Sequence, residues 1–195
     1  MQYRMNLLPI MMLGGLIMAI FISTDESRSA GKFYSRTPSG EIEIKTIPES
    51  RVLIAESKGS YFEISNQLFS RLFNYIKEHE IPMTAPVEGS LEGEARMVFY
   101  VGTGIEESRL SDEGEVSVLR LPERLVAAIG ARGSYSEKNI RKNLDKLDIY
   151  MADQNEYEVN GSPYAVYWNP PFIPWFLRHL EVHIPVRPRK SHQDK

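Results

Sequence analysis

Arg51-Val52-Leu53-Ile54-Ala55 followed by Gly59-Ser60-Tyr61 is answered 74 residues later by Leu125-Val126-Ala127-Ala128-Ile129 followed by Gly133-Ser134-Tyr135. In both places an apolar run of strand length ends at a glycine turn, and a helical pattern begins beyond it. The repetition reads as a duplication, and it decides the fold. Working outward, residues 41–47 and 115–121 supply a strand before each run. Residues 84–87 and 97–101 follow the first helix as strands, and residues 164–168 and 180–186 follow the second. Each half is therefore a βαββ-type unit with a lead-in strand. Two such units predict an α+β fold, an antiparallel sheet curled into a β-barrel with two amphipathic helices packed on it. Residues 88–96, with Gly89, Gly93 and three glutamates, read as a solvated hairpin loop, and residues 102–114 join the halves.

The two helices are not equivalent. On a helical wheel, Tyr61, Phe62, Ile64, Leu68, Phe69, Leu72, Phe73, Tyr75 and Ile76 share an arc of about 180°. Ile140, Leu144, Leu147, Tyr150 and Met151 of the second helix span only about 120°, close to what packing on one sheet face requires. The first helix has apolar surface to spare, with Arg71 beyond one edge of the arc and Lys77 beyond the other. That layout suits a flat apolar ligand carrying carboxylates, its rings on Phe69 and Phe73 and its acids on the cations. A loop covering the helix accounts for the same arc, and the aromatic residues 168–176 are candidates for that cover. The wheel leaves both readings open.

The first helix stops at Ile81-Pro82-Met83-Thr84-Ala85-Pro86-Val87, where two prolines force an extended lip. This I-x-M-T-x-P-V run, with Met97-Val98-Phe99-Tyr100-Val101 and with Trp168-Asn169-Pro170-Pro171-Phe172-Ile173-Pro174-Trp175-Phe176-Leu177-Arg178, resembles the SOUL haem-binding protein family over roughly residues 37–186. Glu80 stands where that family often has a basic residue. The resemblance implies a distorted barrel with two helices that binds haem or another tetrapyrrole largely through apolar contact. Combined with the wheel, it puts the ligand on Phe69, Leu72, Phe73, Ile76, Arg71, Lys77, His79 and Met83. Haem normally takes an axial ligand, and His79 at the helix end and Met83 in the lip are the candidates, each weighed against a plain structural role.

Composition narrows the partners. The chain has 195 residues, 42% of them hydrophobic, and a net charge of −3. A weakly acidic domain without basic runs argues against nucleic acid. With no cysteine there is no disulfide, thiolate metal site or lipid-bearing cysteine. Residues 5–22 carry no charge and lie between Arg4 and Asp25-Glu26, so residues 1–30 read as a signal peptide or membrane anchor. Positive-inside orientation then makes the folded domain, residues 37–188, non-cytoplasmic: periplasmic or secreted, freed by cleavage or held by residues 5–22. Residues 189–195 are a polar tail.

Catalytic signals are sparse. No Gly-x-Ser-x-Gly run occurs, and Glu63, Glu137 and Tyr61 are acid–base groups any domain offers, so binding is expected rather than catalysis, with a small-molecule hydrolase as the alternative. His179-x-Glu181-x-His183 has strand-face spacing, but Leu180, Val182 and Ile184 take the core-facing positions, which turns the histidines toward solvent. At ~3.3 Å per residue they stand about 13 Å apart, too far for one ion, so no metal site is assigned. The rigid run from Tyr164 to Phe176 reads as a cap on one barrel end, with a pocket wall or a partner- or membrane-facing surface as alternatives.

Overall fold

The computed structural model describes residues 33–189; the leader and residues 190–195 of the tail lie outside the described residues. In chain order the elements are β1 (Ile42–Ile47), β2 (Ser50–Ser57), α1 (Tyr61–Glu78), β3 (Val87–Ser90), β4 (Ala95–Tyr100), β5 (Val116–Leu121), β6 (Arg124–Arg132), α2 (Glu137–Asp153), β7 (Tyr157–Val159), β8 (Tyr164–Tyr167) and β9 (His179–Pro188). The sheet runs β1-β6-β9-β8-β3-β4-β2-β5, every pair antiparallel, with β7 added on β9. This is the α+β curled barrel with two helices that the duplication predicts.

The halves exchange their lead-in strands. β1 precedes the first unit but pairs with β6 of the second, and β5 pairs with β2 of the first. The units meet where β3 pairs with β8, Glu88 opposite Val166 and Gly89 opposite Ala165. Both repeated glycines take the left-handed conformation the turn needs, Gly59 at φ 113° and Gly133 at φ 118°. The serine–tyrosine pairs then diverge. Tyr61 opens α1, whereas Tyr135 lies before α2, whose first turn is capped by Ser136 accepting from the Asn139 N–H.

Three apolar clusters result. Leu53, Ala55, Met97 and Phe99 face α1 beneath Leu68, Leu72 and Ile76. Ile129, Leu180, Val182 and Ile184 face α2 beneath Ile140, Leu144 and Leu147. The alternate residues Val52, Ile54, Val98, Tyr100 and Val126 line the inside of the curl, where Tyr34 and Trp168 join them.

Proline is not what first ends α1. Ile81 N–H donates to Ile76 at 2.8 Å and Glu80 N–H to Lys77 at 3.4 Å, the paired bonds of a Schellman motif, with Glu80 at φ 50° in the glycine-favouring position. Ile81 and Ile76 share one apolar cluster, which is the contact that usually accompanies this ending. The lip then runs through a cis Ala85–Pro86 bond, and its strand starts only at Val87. The solvated loop predicted over residues 88–96 is correspondingly shorter: Glu88 and Gly89 are buried in β3, because β3 is a central strand covered on both faces.

Candidate functional site

The residues singled out on α1 divide. Leu72 and Ile76 are core, 0% and 4% exposed. The cover they needed comes from the joining segment, whose Ile105 and Leu110 pack on their cluster and whose Ser111 carbonyl accepts from the Tyr75 hydroxyl at 2.8 Å. Residues 168–176 do not supply it. Arg71 is paired with Glu115 at 2.9 Å, and His79 Nε2 meets Glu113 at 2.9 Å while its ring stacks on Tyr75 at 4.2 Å. Neither side chain faces outward unengaged.

Phe69, Phe73 and Lys77 remain as an i, i+4, i+8 row along the helix. The two rings stack at 5.7 Å and 14°, Phe69 anchored edge-on against Phe99 at 5.4 Å. Phe73 is 43% exposed, Lys77 is exposed one turn on, and Met83 in the lip is also exposed.

The strand segment His179-x-Glu181-x-His183 is opposite to its sequence reading. All three side chains are buried, Glu181 and His183 completely. The inner face of the curled sheet has an apolar cluster of its own, and residues 33–37 close over it, so the alternate face is a second interior rather than solvent. Glu181 is the hub. It accepts from Lys45 Nζ at 2.6 Å, His183 Nε2 at 2.7 Å, Trp168 Nε1 at 2.7 Å and the Thr37 N–H at 3.0 Å, while the Thr37 hydroxyl donates to Glu43 at 2.7 Å. Donors saturate this carboxylate, and no group of His, Asp or Glu able to hold a metal occurs among the described residues.

Burial alone would lift the Glu181 carboxyl, but His183 and Lys45 outweigh it and hold it at about 2. Burial holds the His183 imidazole below its usual range, although Glu181 opposes the shift. Both groups therefore bind protons more readily in the unfolded chain. Stability should fall as pH drops below about 6.5, where unfolded histidine protonates, and again below about 4.5, where unfolded glutamate does. Thermal denaturation across that range should show the melting temperature declining monotonically toward acid, with the first decline reduced in His183→Gln.

A second buried group lies next to it. Glu88 accepts from Tyr100 and from Arg124 Nη2, both at 2.5 Å, and Arg124 Nε donates to the Tyr164 hydroxyl at 3.2 Å. Burial and the Glu88 charge push the Tyr100 hydroxyl well above its usual range, so it stays a neutral donor. Glu88, Arg124 and Tyr164 form part of the wall of a cavity of about 440 Å³. Glu56, Glu92 and Glu94 also line it, against Arg96 and Arg124. A cavity of about 400 Å³ lies at the start of α1, between Gly59, Tyr61, Leu91 and Glu92. Neither contains the Phe69–Phe73 row. Sequence periodicity gives no sign of either cavity, since both form where distant turns meet.

The structure is a duplicated α+β barrel with a half-exposed aromatic row on one helix. The chain belongs to the SOUL heme-binding protein family, whose model matches residues 32–185. No curated protein matches it by sequence. Among solved structures it is similar to EcmrR in a DNA complex, with a TM-score of 0.62 and 15% identity over 75% of this chain, although it spans only 57% of that one. It is similar also to a hydrolase from Listeria innocua, at TM-score 0.57 and 15% identity over 80% of this chain and 95% of that one. A third likeness is to SAV2435 bound to tetraphenylphosphonium, at TM-score 0.52 and 10% identity over 75% and 94% of the two chains. At these identities the likeness is one of fold.

Proposed function

We propose that this chain is an exported or membrane-anchored domain that binds haem or a related tetrapyrrole, with the ligand's plane against Phe69 and Phe73 of α1. The observation that carries the site is the Phe69–Phe73 stack, left 43% exposed at Phe73 on a helix whose other apolar side chains are buried or half-buried. Membership of a haem-binding family supplies the ligand class. Lys77 would meet a propionate and Met83 would extend the apolar surface. His79 is turned to Glu113 and Tyr75, so binding on this surface rests on apolar contact rather than on histidine ligation. The 440 Å³ cavity suits a dicarboxylate poorly, because four glutamates line it against two arginines.

Haem titration followed by Soret absorbance tests the reading. Losing one well-buried aromatic contact costs roughly 1.5–3 kcal/mol, so Phe73→Ala should weaken binding about tenfold or more, and Phe69→Ala with Phe73→Ala further. An unchanged spectrum on adding haem, or unchanged affinity in a folded double variant, overturns it. Export is tested separately, by the compartment in which a reporter fused after the domain is active.

One observation favours a second reading. The acidic lining of the 440 Å³ cavity suits an organic cation, and SAV2435 is a fold neighbour that holds one. Tetraphenylphosphonium binding lost in Glu88→Gln, with haem binding intact, would favour it. Turnover is not part of either reading; the Listeria hydrolase shares the fold alone.

A further inference from the structure

The loop between β8 and β9 carries four large apolar side chains into solvent: Phe172 is 81% exposed, Trp175 61%, Phe176 57% and Leu177 51%. The sequence reading of this run as a barrel cap is thus half right. Tyr164, Tyr167 and Trp168 pack inward, and the remainder projects away from the protein. The projection is held in shape. Arg178 Nε donates to the Ile173 carbonyl at 2.7 Å and its Nη2 to the Pro171 carbonyl, Ile173 N–H bonds Pro170 at 3.1 Å, and Trp175–Leu177 form a single 3₁₀ turn. A fixed display of this size is not a core element that lost its cover; exposed contiguous apolar surface marks an interaction.

Its position says with what. Trp168 and His179, the two ends of the loop, are bonded to each other, Trp168 N–H to the His179 carbonyl at 3.2 Å. The same two residues receive the chain as it enters the domain. Tyr34 packs edge-on against Trp168 at 5.3 Å, and His179 Nε2 bonds the Thr37 carbonyl at 3.0 Å. The entering chain and the aromatic loop therefore lie at one end of the barrel. Ten residues, 23–32, separate Phe33 from the end of the uncharged apolar segment 5–22. Ten residues span at most about 33–36 Å, which limits how far from this end of the barrel that segment can begin. Three arginines occupy this end: Arg36 over the Trp168 ring at 5.0 Å, Arg178 over the Tyr135 ring at 5.3 Å, and Arg132 opposite His179 in the β6–β9 register.

We infer that residues 172–177 are a membrane-contacting loop, which seats the barrel on the lipid surface into which residues 5–22 insert. Tryptophan and phenylalanine enter the headgroup boundary, and Arg132, exposed at the end of β6, meets anionic headgroups. The domain is then held at two points, with the loop's end toward the bilayer. The inference is independent of haem binding and rests on the anchoring reading of residues 5–22.

The chain has two tryptophans, which makes the test direct. Trp168 is buried, with its Nε1 on Glu181, and serves as an internal reference for Trp175. The full chain is reconstituted into vesicles of phosphatidylcholine and phosphatidylglycerol, with and without bromine on the acyl chains. The inference expects bromolipid quenching of most of the Trp175 emission. Trp175→Phe should abolish the quenched component, and the exposed-site variant Phe172→Ser with Phe176→Ser should diminish it while the Trp168 emission persists. Vesicle flotation without Trp175 quenching overturns the loop's role and leaves the anchor standing. Failure to float overturns both. Self-association in lipid-free detergent that depends on Trp175 also overturns the inference, by assigning the loop to a second copy of the chain.

Discussion

Glu181→Ala should be the most damaging single substitution in the barrel. The change removes one carboxylate and strands the donors of His183 Nε2, Trp168 Nε1 and the Thr37 N–H, while Lys45 loses its shortest ion pair and keeps Glu43 at 3.5 Å and the Ser35 carbonyl at 3.1 Å. Lys45 is only 10% exposed at its side chain, so its charge has little water to turn to. Breaking a buried pair by deleting one partner costs about 3–5 kcal/mol, which for a domain of this size lowers the melting temperature by roughly 10 °C. Glu181→Gln should cost less, since it keeps shape and one acceptor while losing the charge that faces Lys45. Equal losses for the two variants would mean that volume rather than charge is what the site needs. The damage should also be local at first. Hydrogen exchange should rise in residues 33–45 before it rises at α2, because those residues are tied to the sheet's inner face through this carboxylate.

Gly130→Ala should act on the same segment from the other side. A Cβ there would stand 2.2 Å from the Thr37 carbonyl oxygen and 2.3 Å from that of Pro38, both backbone atoms that cannot rotate away. Gly130 also accepts from Gly40 N–H at 2.8 Å and donates to Glu41 at 3.1 Å. The entering chain therefore crosses β6 at contact distance. Overpacking of this kind costs about 1–3 kcal/mol, more where backbone must move. Displacing Thr37 also takes its N–H off Glu181, so the effects should not add. Gly130→Ala in the Glu181→Ala background should cost measurably less than in the native chain, and full additivity would show that the two sites hold the segment independently.

Much of this architecture is written in local patterns. The repeated apolar run and Gly-Ser-Tyr placed the two units, and the period of 3.6 placed Leu68, Leu72, Leu144 and Leu147 under their helices. Strand exchange between the halves is not local: nothing in residues 42–47 says that they pair with Arg124–Ile129 rather than with β2. The same reason hid the polar interior. A period-2 alternation tells which residues share a face, not whether the other face meets water, and in a curled sheet it does not. The residue types held a clue, since His-x-Glu-x-His is a set that can satisfy itself where serines or lysines would face solvent. The candidate site was half legible. The wheel put Phe69 and Phe73 on one arc, and they stack there with Phe73 half-exposed, but Ile105 and Leu110, far along the chain, claimed the surface over Leu72 and Ile76. The partners that engage Arg71 and His79, Glu115 and Glu113, were not legible from the helix because they lie more than 30 residues further along the chain.

Haem binding on α1 is the central claim, and the location of the bound ligand tests it most directly. NMR of the isotopically labelled protein titrated with zinc protoporphyrin, a diamagnetic haem analogue, should perturb Phe69, Phe73, Lys77 and Met83 and leave Glu88, Arg124 and Tyr164 unmoved. Shifts centred on those last three residues, or none on α1, would contradict the account.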